Sequence, residues 1–291
     1  MLTVSVRTLR HELVIHAPDR KTADALRFMQ ARPRIPGEPA ERIDIEVERC
    51  CGFLSLSLPG HARHEGTAQS VLNELHGFHF DLTRSEFPQA ALIHGGCLTF
   101  EDGHTVVVGD KGAGKTTLLA CLAVEGWPVC GDEHVVVGRD GAAARPRSLR
   151  VKPGTLPYLP PRAREVVLNA PFVVDWQGSP VHAVEPSALG IDWVLHRRPI
   201  RNLVFLSGNH GGRSRLRRIG FEDAMARLLL NVMLPQQGRA LALGEIAAVA
   251  RSARCWELRN GQLKETARHL YNAVHDIRGH DIAAPPDRKR Q

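Results

Sequence analysis

Long apolar runs, paired cysteines and aromatic residues are what this 291-residue chain has least of, and each shortage removes a class of protein. No stretch approaches the roughly 18 consecutive apolar residues that a bilayer-spanning helix requires. The opening MLTVSVRTLRHELVIHAPDR places charge where a signal peptide needs an unbroken apolar core, so a soluble cytoplasmic protein with no membrane partner is expected. The six cysteines, Cys50, Cys51, Cys97, Cys121, Cys130 and Cys255, contain no CxxC pair, and a vicinal Cys50-Cys51 is a poor start to a disulfide framework. Buried thiols in a reducing compartment are the expectation. Aromatic residues make up only 5%, which leaves few stacking platforms for single strands, and nucleic acid is not expected as a partner. No repeat of 20 to 50 residues is present, which sets aside solenoids and propellers. Fifteen histidines include the close pairs His61/His64 and His76/His79, yet no cysteine or acid completes a tetrahedral metal set around either pair.

What the chain does have is enough apolar sequence for a large core, 43% hydrophobic against 24% charged, and a net charge of +7 that favours anionic ligands. Its patterning changes near residue 90. Before that point short alternations such as Ile43-Asp44-Ile45-Glu46-Val47 and Phe53-Leu54-Ser55-Leu56-Ser57-Leu58 predict strands, followed by a helix over 68–75. From Ala91 onward strands and helices alternate: a strand at 105–108, a helix through Leu122, strands at 135–137 and 202–206, and a helix over 222–233. Arg- and Pro-rich stretches at 145–161 and 195–199 read as connectors. The expected fold is α/β, with a small α+β N-terminal domain at 1–90, a catalytic domain at 91–282 and a solvated tail at 283–291. A homo-oligomer is compatible with this organisation.

One motif dominates. Gly109-Asp110-Lys111-Gly112-Ala113-Gly114-Lys115-Thr116 fits G-x-x-x-x-G-K-[ST] at every fixed position. The β-branched Thr105-Val106-Val107-Val108 precedes it, and a Gly- and Pro-free helical stretch ending at Gly126 follows. Strand, glycine loop and helix make a P-loop: the glycines turn backbone N–H groups inward as an anion nest, and the helix N-terminus adds the positive end of its dipole. ATP is the expected ligand, held by Gly109, Asp110, Lys111, Gly112, Ala113, Gly114, Lys115, Thr116 and Thr117. Lys115 is expected on the β- and γ-phosphate oxygens, the Thr116 hydroxyl on Mg²⁺, and Thr117 near the α-phosphate.

A phosphate cradle does not say where the γ-phosphate goes, so the acid that faces it matters. Asp132-Glu133 follows the short apolar run Trp127-Pro128-Val129-Cys130, which reads as a strand beside the P-loop strand delivering carboxylates at its end. Asp175 after Phe172-Val173-Val174 is a second candidate, and a turn residue is its plainer reading. Asp132-Glu133 is preferred because it directly follows the P-loop helix.

Taken together, His94-Gly95, the loop from Gly109 to Thr116, Gly126-Trp127 and Gly131-Asp132-Glu133 resemble the catalytic domain of the HPr kinase/phosphorylase family over residues 91–140. The resemblance implies Asp132 as general base on a serine hydroxyl, with His94 and Glu133 lining the site and Glu133 beside Thr116 as a Mg²⁺ ligand; the second acid is Glu here where that family usually has Asp. The family's long signature ending in Asn-Phe-Arg is missing, and residues 1–90 do not look like its larger N-terminal domain. The chain is therefore more similar to HPr-kinase-like relatives, among them enzymes of lasso peptide clusters that look like kinases of a precursor peptide serine, and others that phosphorylate free serine. The segment from Arg147 to Lys152-Pro153 and the strand from Arg201 to Leu206 are also similar to those relatives.

The expected activity is an ATP- and Mg²⁺-dependent transfer to a serine hydroxyl of a peptide or protein, with Asp132, His94 and Lys115 as catalytic residues. A carboxylate can take the hydroxyl proton while Lys115 and Mg²⁺ absorb charge on the transferring group. A small-molecule kinase acting on free serine, and an ATPase or regulatory switch in which Asp132 positions water, are the alternatives. Arg213, Arg215, Arg217 and Arg218, after His210-Gly211-Gly212, read either as a solvated loop or as contacts for an acidic substrate. Leu228, Leu229, Val232 and Met233 read as an apolar helix face belonging to the core.

Overall fold

The computed structural model describes residues 2–37, 40–175, 177–208 and 212–275. The expected tail at 283–291, and His210 and Gly211, lie outside the described residues.

The first five strands, β1 (Leu2–Arg7), β2 (His11–Ala17), β3 (Glu41–Cys50), β4 (Phe53–Ser57) and β5 (His64–Gly66), form one sheet in sequence order. Only β2 and β3 run parallel, joined through helix α1 (Arg20–Leu26), whose N-cap Asp19 accepts a hydrogen bond from Thr22 N at 2.8 Å. Alternation decides which face is buried: Leu13 and Ile15 on β2 and Ile45 and Val47 on β3 point inward. That face is covered by α2 (Ala68–Glu86), capped by Thr67. The helix runs well past the expected 75 because its buried stripe continues through Phe78, His79, Thr83 and Glu86, and three of these are polar residues that hydropathy does not count as core.

The second part begins with β6 (Ala91–Phe100), β7 (Gly103–Val108), helix α3 (Lys115–Val124), β8 (Val129–Gly131), β9 (His134–Gly138) and β10 (Gly141–Ala144). The stretch expected as a connector instead holds β11 (Leu149–Val151), a 3-10 turn and the start of α4 (Pro161–Leu168), and a small sheet in the order β11-β13-β12 forms with β12 (Phe172–Val174) and β13 (Pro180–Val184). The chain then returns through β14 (Ile200–Gly208), β15 (Arg215–Arg218), α5 (Phe221–Leu229), β16 (Val232–Met233), α6 (Arg239–Ser252), β17 (Arg254–Asn260) and α7 (Leu263–His275).

The main sheet has the order β10-β9-β6-β7-β14-β17-β15, with β8 and β16 also on β6. Its centre, β7, β14 and β17, is parallel and buried on both faces, as the unbroken Val106-Val107-Val108 run requires. The flanks are antiparallel, so the α/β alternation expected from Ala91 onward holds only in the middle. The helix expected over 222–233 stops at Leu229, and Val232 and Met233 pair with Ile93 and Leu92 as a strand; Leu228 is buried while Leu229 and Met233 face out. Four cysteines are buried as expected, but Cys50 and Cys51 are exposed at the β3–β4 turn, where Cys51 has φ +47°. Buried residues of the first sheet and of β6, β9, α5 and α6 form one contiguous apolar cluster, and α3 and α7 enclose another on the opposite face of the main sheet. Among the described residues no helix is long and apolar enough to cross a membrane.

Candidate functional site

The loop at 109–114 connects β7 to α3 at the edge where the parallel strands end, the place where ligands meet such sheets. Two of its glycines are required by conformation: Gly112 and Gly114 have φ of +90° and +94°. A Cβ on Gly114 would also lie 2.5 Å from the Asn260 amide, which donates to Ala113 O at 3.1 Å and accepts from Thr266 at 3.0 Å. The end of β17 and the start of α7 thus fix the curvature of the loop. Asp110 and Lys111 are exposed, and Ala113 is buried.

Lys115 is the first residue of α3 and is 8% exposed. Its ammonium donates to the Gly109 carbonyl and, at 3.1 Å, to that of Asp110, so it lies across the loop. Burial lowers its pKa, against the opposing charges of Asp110 and Asp132. Thr117 shares a hydrogen bond with Thr155 at 2.8 Å, which ties α3 to the segment after β11.

Asp132 and Glu133 sit at a break in the chain between β8 and β9, which lie in one line along β6. The sequence placed β8 beside the P-loop strand; in the fold β6 lies between them. Opposite the acids stand Gly95 and Gly96, and Gly95 N donates to Glu133 O at 2.9 Å. A Cβ on Gly95 would meet the Val107 carbonyl at 2.8 Å, so the glycine after His94 is there for close backbone approach.

The two carboxylates differ in their surroundings. Asp132 Oδ2 accepts from the Thr116 hydroxyl and from Arg150 N, both at 3.1 Å, whereas Oδ1 is buried with no hydrogen-bond partner among the described residues. Burial raises the Asp132 pKa, with Arg147 and the two hydrogen bonds pulling the other way. Glu133 is clamped: Arg147 pairs with its Oε2, Arg145 Nη1 approaches to 3.3 Å and His134 Nδ1 to 3.6 Å. Burial alone would raise its pKa, but these three neighbours hold it well below the usual carboxylate range.

His94 is half-buried on β6, opposite His134 in register, with the two rings 5.6 Å apart. Its pKa is lowered by burial first and then by the charges of Lys115 and His134, so the ring faces the same electropositive space. Lys115, Thr116, Asp132, Glu133 and His94 therefore converge around the loop.

Asp175 does not join them: its carboxylate accepts from Gln177 N and Ser179 N at 3.0 Å and pairs with Lys152, the work of a turn residue. Arg217 pairs with Glu257, and the Arg218 guanidinium lies 5.9 Å from the Trp256 ring, so both are held against β17. His64 bonds Ser70, His61 meets the edge of Phe78, and no group of three metal-capable side chains occurs among the described residues.

Several residues at the site carry no signal in the sequence. Arg145, Arg147 and Arg150 fall in an Arg- and Pro-rich stretch that reads as a connector, and the similarity of Arg147 to Lys152 to HPr-kinase-like relatives does not mark a guanidinium as part of the site. Arg145 and Arg150 are so buried that their pKa values fall to about 10 and about 9. His134 and Asn260 were likewise not singled out.

No family model matches the chain, and no curated protein matches it. Among solved structures, the Hpr(Ser) kinase/phosphatase from Coxiella burnetii is a distant neighbour at 10% identity and a TM-score of 0.29, with 64% of this chain and 98% of that one covered.

Proposed function

We propose that the chain is an HPr-kinase-like serine kinase that transfers the γ-phosphate of ATP, with Mg²⁺, to a serine hydroxyl of a peptide or protein. The observation that carries this reading is the asymmetry of Asp132. One oxygen is tied to Thr116 at the mouth of the glycine loop, and the other is buried beside it without a partner among the described residues. A carboxylate raised in pKa by burial, with an open lone pair, suits the acceptance of a hydroxyl proton.

The residues fit a triphosphate and a hard cation. A loop with two left-handed glycines at the N-terminus of a buried helix supplies inward N–H groups and the positive dipole end. The Thr116 hydroxyl is a hard oxygen donor of the kind Mg²⁺ takes through one or two protein ligands. ATP would supply the transferable phosphoryl group, and Mg²⁺ positive charge on its oxygens. Lys115 would turn from the Gly109 and Asp110 carbonyls to the phosphate oxygens, and His94 would line the acceptor side. Glu133, paired with Arg145 and Arg147, would set the field around Asp132 and would reach a cation only by releasing one of them.

Incubation with γ-labelled ATP, Mg²⁺ and serine-bearing peptides plus free serine tests the reading, with Lys115→Ala as the blank. Label on a peptide serine supports it. Label on free serine alone moves the assignment to a small-molecule kinase, and release of inorganic phosphate alone moves it to an ATPase or switch.

A further inference from the structure

The N-terminal sheet and its helix are built into the wall of the site. His79, on α2, is 2% exposed and lies between two groups of fixed polarity. Its Nε2 is 2.9 Å from the Arg7 carbonyl at the end of β1, and its Nδ1 is 2.7 Å from Arg145 Nη2. A carbonyl can only accept and a guanidinium can only donate. The ring must therefore carry its proton on Nε2 and accept at Nδ1; a second ring proton would place two donors face to face. Arg145 in turn reaches Glu133, lies over the Phe80 ring at 5.1 Å from its centroid, and has a buried Nε with no partner among the described residues, so it depends on few contacts for its place. A parallel link serves the other acid: Arg150, whose backbone N–H binds Asp132, stacks its guanidinium 3.7 Å from the Phe28 ring centroid and donates to Phe28 O at 2.7 Å.

From this chain of donors and acceptors we infer that His79 is a positioning residue for the catalytic acids, acting through Arg145 on Glu133, and that the N-terminal unit completes the phosphotransfer site. The inference rests on the kinase reading for its consequence, and on hydrogen-bond geometry for its existence. Glu133 adjoins Asp132, so a displaced Arg145 shifts both the position of Glu133 and the charge beside the base. Misplacement of a reacting group by about 1 Å can cost on the order of a hundredfold in rate.

Two variants separate positioning from mere support. In His79→Gln the side-chain amide can accept from Arg145 and donate to Arg7 O, whereas His79→Phe fills the space and does neither. With γ-labelled ATP, Mg²⁺ and the serine peptide pool, His79→Phe should lower turnover by about tenfold or more with ATP affinity unchanged, and His79→Gln should restore it to within about threefold. Nitrogen-15 spectra give a readout independent of phosphotransfer: the guanidinium resonance of Arg145 should shift in His79→Phe and stay in place in His79→Gln. Wild-type turnover in His79→Phe, an unmoved Arg145 resonance, or a fall in Tm alone would overturn the inference. Should His79→Phe fail to fold, the wild-type ring decides: a proton on Nε2 upholds the chain and a proton on Nδ1 breaks it. A protein that turns over no ATP at all would fail the kinase reading while the spectra still decide the positioning.

Discussion

Thr116 and Asp132 are sixteen residues apart in the chain and joined by a hydrogen bond of 3.1 Å from hydroxyl to carboxylate. That contact links the first turn of α3 to the break between β8 and β9, the two strands that pair in line with β6. It brings the two halves of the proposed site, cradle and acid, within one side chain of each other.

Lys115 is the first test of the cradle. Its ammonium lies across the loop, so Lys115→Ala should lose ATP affinity and turnover together. Removing a charge-assisted contact costs about 1.5–3 kcal/mol, equivalent to roughly ten- to a hundredfold in the dissociation constant. Titration calorimetry with ATP and Mg²⁺ measures it, and an unchanged affinity would place the triphosphate elsewhere.

Gly95→Ala tests the close approach of β6, the strand against which Asp132 and Glu133 stand, to β7. The added methyl would meet the Val107 carbonyl, which is backbone and cannot rotate away. A loss of about 1–3 kcal/mol in urea unfolding is expected from such overpacking. Wild-type stability would mean that β6 and β7 can separate at little cost.

Asp175→Ala separates the two acids that the sequence offered. Its carboxylate is occupied by Gln177, Ser179 and Lys152, so turnover per folded molecule should stay within about twofold of wild type, the level of a contact outside the chemistry. A large loss of turnover with intact folding would return Asp175 to the site.

Stability should fall as the pH is lowered below neutrality. The His76 ring is held down to about 3, by burial first and then by Arg147, Arg150 and Arg145, and His79 is depressed by burial first and then by Arg145. Below about pH 6.5 the unfolded chain binds protons at these rings that the folded chain refuses, so their contribution is lost as the pH drops from there toward the folded values. Each ring contributes at most about 1.4 kcal/mol per pH unit. Urea unfolding at several pH values between 7.5 and 5 should show this slope, and His76→Gln should flatten it; an equal slope in the variant would contradict the assignment.

The cradle was legible because it is local: a left-handed glycine, a lysine and a threonine must be adjacent in sequence to be adjacent in space. The acid pair was legible for the same reason, being a dipeptide after a short apolar run. The arginines were not. Arg145 and Arg150 are buried by tertiary contacts with His79 and Phe28, about 70 and 120 positions away, and no periodicity marks a guanidinium as interior. The course of α2 beyond residue 75 was hidden likewise, because His79 and Glu86 continue its buried face with polar groups bonded to Arg7 and Thr8 across the fold, and Thr83 bonds back to His79 O within the helix. Strand order was also out of reach: β6 separates β8 from β7, and only long-range pairing reveals it.

The central claim is that Asp132 receives the hydroxyl proton during transfer, and Asp132→Asn tests it most directly. The amide keeps the size of the side chain and can still accept from Thr116 and Arg150, so ATP and Mg²⁺ should bind within a few-fold of wild type. Transfer of label to a serine acceptor, measured in a single turnover alongside binding, should fall by about 10²- to 10⁴-fold. Transfer at the wild-type rate by Asp132→Asn would contradict the account.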